Sequence, residues 1–162
     1  MGFMNKKFKE CLLEVYHSEQ TGEMIFEYLL KYAQNKEERY IYGSMLQFET
    51  EAKAVMRPLL RKLDLPLGEE IVSRERGIEI GLSLKEVPFK ELMKGVEKSI
   101  ENHYLPLYEE LESLADEEEA EECSVSKFMG DHERALLLTA QNFILDKNDS
   151  IKPITSMLRF PL

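Results

Sequence analysis

Residues 64–88 read DLPLGEEIVSRERGIEIGLSLKEVP, and this stretch decides how the chain is organised. Asp64-Leu65-Pro66-Leu67-Gly68 stops a helix, and Gly77, Gly81 and Pro88 punctuate the residues after it, so about twenty residues pass without the spacing of a strong long helix. On its N-terminal side, Phe8, Leu12, Val15, Phe26, Leu29 and Ala33 fall at three- and four-residue steps, as one face of a helix of roughly thirty residues requires. Ala33-Gln34-Asn35-Lys36 breaks that pattern, and Ile41, Met45, Ala52, Met56, Leu59 and Leu63 form a returning stripe. On its C-terminal side a third stripe runs from Phe89 through Met93, Ile100, Tyr104, Leu107, Leu111 and Leu114. A fourth carries Val125, Phe128, Leu136, Thr139 and Phe143 and fades near Lys147. The order is hairpin, long connection, hairpin.

The fold expected is all-α: a four-helix bundle over residues 1–148 and a tail over residues 149–162. A connection of about twenty residues travels the length of a thirty-residue helix, near 45 Å at about 1.5 Å per residue, only if largely extended. That length permits the second and third helices to run parallel. Pro58 and Pro106 lie inside stripes and predict kinks, because proline removes a backbone donor and crowds the preceding turn. Asp116 followed by Glu119 reads as the N-cap and reciprocal acid of the fourth helix. Ile154, Met157, Leu158, Phe160 and Leu162 make the tail apolar, so it docks on the bundle or covers a neighbouring subunit.

The chain has 162 residues, 43% hydrophobic and 32% charged, with 31 acidic against 21 basic side chains and a formal charge of −10. Such a field repels phosphate backbones and anionic lipid, which argues against nucleic acid as a partner; residues 57–62 form the one modest basic cluster. No window holds eighteen uninterrupted apolar residues, and the start Met-Gly-Phe-Met-Asn-Lys-Lys has no leader pattern, so a cytoplasmic protein without a membrane span is expected. Cys11 and Cys123 are too few for a disulfide framework and read as reduced thiols, Cys11 within the core. Helix faces beside an apolar tail suggest a homodimer.

Each apolar stripe holds one polar residue where a hydrophobe is expected. Glu19 follows Leu12 and Val15 in step, Glu49 lies between Met45 and Ala52, Glu97 between Met93 and Ile100, and His132 between Phe128 and Leu136. Counting from the two turns places all four near mid-bundle. Three carboxylates cannot ionise together in an apolar interior, because each suffers several kcal/mol of desolvation and repels its neighbours. A divalent metal neutralises them and accepts oxygen and imidazole ligands; shared protons or buried water are the alternative. Glu23, Glu101, His103 and Asp131 are second-tier candidates at stripe edges, and His17 reads as surface or rim.

With these residues the chain resembles the ferritin-like superfamily, near its rubrerythrin-like and carboxylate-bridged di-iron members, over roughly residues 8–146. In that family the first and third helices each supply a Glu, and the second and fourth each supply Glu-x-x-His. The resemblance makes Glu19 and Glu97 the single carboxylates. It is met by halves elsewhere: Glu49 is followed by Ala52 where a histidine belongs, and His132 is preceded by Met129 where a glutamate belongs. Two functions are implied. One is an iron or manganese protein, oxidoreductase-like, acting on a small molecule the sequence does not identify. The other is a metal-free bundle that acts by binding or scaffolding. A haem site on His17 or His132 is a remote third.

Overall fold

The structure, a computed structural model, describes the backbone of residues 2–162 and side chains from Asn5 onward. The side chains of Met1–Met4, on which the expected lack of a leader partly rests, lie outside the described residues. The described residues are helical, without a strand: α1 (Gly2–Lys31), α2 (Lys36–Lys62), α3 (Ile71–Leu84), α4 (Phe89–Ser99), a π-helical turn (Ile100–Tyr104), α5 (Leu105–Leu114), α6 (Ala120–Ile144) and a short α7 (Lys152–Thr155). None of these helices is long and apolar enough to cross a membrane.

Side-chain pairs fix the directions. Lys53 of α2 meets Glu23 at 3.0 Å and Arg57 meets Tyr16 at 3.3 Å, so α2 descends as α1 rises. Arg134 of α6 meets Glu112 of α5 at 2.6 Å, while Lys90 meets Asp146 beyond the end of α6, also at 2.6 Å. The α4–π–α5 rod therefore runs antiparallel to α6. α1 packs on α2 and α5, and α6 on α2, α4 and α5.

The connection differs from the extended chain expected, because fourteen of its residues form α3. α3 lies along α1 in the same direction: Thr21 Oγ1 donates to the carbonyl of Ser73 at 3.0 Å, Gly77 faces Thr21 and Met24, and Gly81 faces Ile25 and Tyr28. The buried residues of α3 are Ser73, Gly77 and Gly81, all small, so the helix seats against α1 without an apolar stripe. The segment leading into it is clamped by α1: Tyr16 Oη donates to the carbonyl of Leu67 at 2.8 Å, and Gln20 accepts from the Glu70 amide at 2.7 Å. Asp64, at φ 57°, closes α2 with a left-handed turn in which the Leu65 amide bonds the Leu60 carbonyl at 2.9 Å.

The two prolines gain detail, and one capping expectation changes. α2 continues through Pro58 to Lys62. Pro106 sits in the first turn of α5, just after the π-turn, where the Leu105 amide reaches back to the Ile100 carbonyl. A wider turn there accommodates a ring that would clash with the carbonyl four residues earlier. α6 begins at Ala120 without a side-chain cap; Asp116 instead caps a turn, accepting from the Glu118 amide at 3.0 Å.

The apolar interior is in two parts. One holds Phe8, Leu12, Val15, Met56, Leu60, Leu111 and Met129. The other holds Phe26, Leu29, Met45, Phe48, Met93, Leu136 and Ala140, with Ile154 and Leu158 of the tail. The tail docks on its own chain, where Glu51 accepts the amides of Arg159 and Phe160 at 2.8 and 2.9 Å. On α1, α2 and α6, the residues between the two apolar parts include Glu19, Glu49, His132 and Glu133.

Candidate metal centre

At this level of the interior the fold has placed acids rather than hydrophobes. Glu19 and His132 are fully buried, and Glu49 and Glu133 are each 4% exposed. Ligand atoms of Glu19, His132 and Glu133 all lie within 4.8 Å of one another. His132 Nε2 is 3.7 Å from Glu19 Oε2, and Nδ1 is 3.8 Å from Glu133 Oε2. The imidazole stacks on Phe48 with centroids 3.9 Å apart and planes 12° apart, and its Nε2 lies 3.4 Å from the Phe48 carbonyl. Tyr108 of α5 donates its hydroxyl to Glu19 Oε1. Glu49 lies beside Glu19 from α2, in room left by Gly22, where a Cβ would come 2.9 Å from the Glu49 carboxyl carbon.

This crowding sets the electrostatics. Burial, then the charge of Glu19 and hydrogen bonding with it, pushes the Glu49 carboxyl well above the usual range; Glu133 and Glu23 add to the rise. Burial also raises Glu133, against the opposing pull of His132. For His132, burial favours the neutral ring, but Glu19 and Glu133 outweigh it and lift the imidazole above its ordinary value. Burial and the same three carboxylates raise the Tyr108 phenol well above 10.

Glu19 Oε2 and His132 Nδ1 are buried with no hydrogen-bond partner. Buried polar atoms are nearly always satisfied, so two orphans facing each other's neighbours mark room for a cation or for protons. The donor set fits a divalent ion that takes carboxylate oxygen and imidazole nitrogen, as iron and manganese do. The residues that would hold it are Glu19, His132 and Glu133, with Glu49 beside Glu19 at the edge of the group.

The sequence candidates divide clearly. Glu19, Glu49 and His132 come together. Glu97 is half-buried on α4, outside the group. Because residues 115–119 form the turn and α6 starts at Ala120, the middle of the second hairpin falls later than equal helices imply. The Arg134–Glu112 pair and the reach of Tyr108 to Glu19 put the level of His132 near residues 108–112 of the rod, so Glu97 lies more than ten residues away along it. Glu23 is occupied by Thr50 at 2.7 Å and the buried Lys53 at 3.0 Å, and Lys53 also pairs with Glu69 at 2.5 Å. Asp131 pairs on the surface with Lys127 and Arg134, and Glu101 and His103 are exposed. His17 is half-buried, 3.5 Å from Glu70.

Glu133 is the member that the stripes alone do not single out. It lies four residues after Met129 and three before Leu136, a spacing as regular as that of His132. Its neighbour masks it: α6 packs on α2 at one side and on α4 and α5 at the other, so a face wide enough for two adjacent residues is buried.

The acid group sets a pH dependence in protein stripped of metal. Glu49 and Glu133 hold protons to higher pH when folded than when unfolded (about 4.3), so their contribution is full below that value and is lost as pH rises through the folded pKa values. His132, also raised, has the same sign. Glu51, Glu69 and Asp131 are lowered by their donors against burial, so their contributions are flat above pH 5. Thermal melts in chelator are expected to show a falling melting temperature from pH 5 to 8. If the group holds manganese(II), adding it is expected to reverse the slope, since ligands must lose protons to bind.

Beside the group, a cavity of about 370 Å³ has Glu49, Tyr108 and Glu133 in its wall. No protein-family model matches the chain, and no curated protein or solved structure is significantly similar to it.

Proposed function

We propose that the protein is a ferritin-like four-helix bundle, with residues 64–88 as its crossover, that binds iron or manganese at Glu19, Glu49, His132 and Glu133 and serves as an oxidoreductase-like protein. The observation that carries the reading is the convergence of three acids and one imidazole from three helices, fully or almost fully buried, between two apolar halves of the core. Burying several carboxylates costs too much to arise from packing alone, and removing them for hydrophobes is often neutral or stabilising. A bound divalent ion supplies the missing charge and, with it, Lewis-acid or redox chemistry. The chain's own residues orient the site. The Tyr108 hydroxyl holds Glu19 through Oε1, leaving Oε2 free, and stacking on Phe48 fixes the His132 ring. The two free thiols suit a reducing cytoplasm, and the exposed Phe160 and Leu162 favour pairing of two copies.

A metal-free binding protein is the second reading. It is favoured by Ala52 and Met129, which stand where the resembled family has a histidine and a glutamate. A proton on Glu49 shared with Glu19 then meets part of the charge imbalance.

Elemental analysis of protein purified without chelator decides between them. A stoichiometric transition ion is expected, with a rise in melting temperature on resupply to stripped protein, since a ligand of the native state stabilises by mass action. Glu19→Ala and His132→Ala are expected to lose the ion. Protein that remains empty after iron and manganese are supplied overturns the metal reading.

A further inference from the structure

α3 rests on α1, α4 rests on α6, and between these pairs the core is open. The 370 Å³ cavity here falls in the range of small-molecule sites, which are typically apolar with a few placed polar groups. Its walls include Ile25 and Phe26 of α1, Ile80 and Leu84 of α3, and Val96 and Ile100 near the π-turn. π-turns inside helices are frequent at functional sites, and this one, which also accommodates Pro106, contributes Ile100 and Tyr104 to the lining.

Two features define the occupant. Among the described residues no lysine, arginine or histidine lines the cavity, whereas Glu49, Glu91 and Glu133 do, so an anionic head group finds no counter-charge. Ser18 lines the wall; its Oγ is buried without a hydrogen-bond partner, and a change of rotamer presents it to the cavity as one donor and acceptor. We infer that the cavity binds an uncharged, mainly apolar small molecule, an aliphatic or aryl body bearing one hydroxyl or carbonyl group, with that group at Ser18 and the body along α3 and α4. Such a molecule lies against Glu49, Tyr108 and Glu133, which makes it the substrate class of the proposed centre. The inference rests on the metal reading for that role but not for binding itself.

The test is calorimetric titration of the full chain, stripped of metal, with 1-octanol and with octanoate, followed by methyl NMR. Octanol is expected to bind saturably and shift the methyls of Ile25, Ile80 and Leu84, with octanoate at least tenfold weaker. Val96→Trp and Gly95→Leu are expected to weaken octanol at least tenfold. The second variant keeps the fold, because a Cβ at Gly95 meets nothing within 4 Å. Ser18→Ala is expected to cost roughly two- to tenfold, the worth of one hydrogen bond. Octanoate binding as tightly as octanol overturns the uncharged head group. No saturable binding, or equal binding in wild type and both filled variants, overturns the cavity assignment. Metal content measured on separate unstripped samples keeps the two ideas apart: empty protein that binds octanol refutes the metal centre alone, and metal-loaded protein that ignores octanol refutes the cavity alone.

Discussion

Glutamine at Glu49 is expected to raise the melting temperature of the metal-free protein at pH 8 while lowering its affinity for manganese(II) at least tenfold. Glu49 is 4% exposed, lies beside Glu19 and faces the charge of Glu133, so keeping it ionised opposes desolvation and repulsion together. An amide of the same shape carries no charge and donates to Glu19 at any pH. The gain is expected to be about 1 kcal/mol, or about 2–4 °C for a domain of this size. The same exchange removes an anionic oxygen from the proposed metal site, and even partners one step further from a metal typically matter 10–100-fold. The two opposite signs are the diagnostic. If the acids merely fill the core, the stability gain appears alone; if Glu49→Gln leaves both quantities unchanged, Glu49 is not part of the buried group.

Alanine at Gly77 is expected to destabilise the protein by about 1–3 kcal/mol, whereas alanine at Gly130 leaves stability near that of the wild type. A Cβ at Gly77 collides with the Thr21 carbonyl oxygen and comes 2.6 Å from Met24 Cβ, both fixed by the backbone of α1. α3 must then lift away, and the intrinsic preference of helices for alanine over glycine, about 1 kcal/mol, only partly offsets the loss. At Gly130 the collision is with the end of the Glu112 side chain, which can swing out. What is lost is the partly exposed Glu112–Arg134 pair, worth about 0–1 kcal/mol. Denaturant midpoints measure the difference, and hydrogen exchange should show faster exchange in α3 for Gly77→Ala alone. Equal midpoints for the two variants contradict the close seating of α3 on α1.

That seating also explains why α3 is invisible in the amino-acid pattern. Its inward positions are Ser73, Gly77 and Gly81, while Ile71 and Val72 are about 70% exposed, so hydrophobic periodicity has nothing to register. The four long stripes were legible because their apolar residues repeat at helical steps, and the segment after Leu63 was legible as a break because Pro66 and Gly68 interrupt it. The buried acid–imidazole group was legible in Glu19 and His132, with Glu49 beside them. Glu19, Glu49 and His132 occupy stripe positions, and stripe positions are buried here. Glu97 obeys the same local rule yet lies eleven residues before Tyr108, the residue of that rod that reaches the group.

Spacing along the chain determined the helices, their hairpins and the presence of acids on inward faces, because those depend only on the 3.6-residue period and on which side chains favour water. Which acids meet, and that Glu133 and Tyr108 join them, was decided by the register between helices. That register comes from turn lengths, the π-turn and the glycine contacts of α3, and none of these leaves a trace in the periodicity of a single helix.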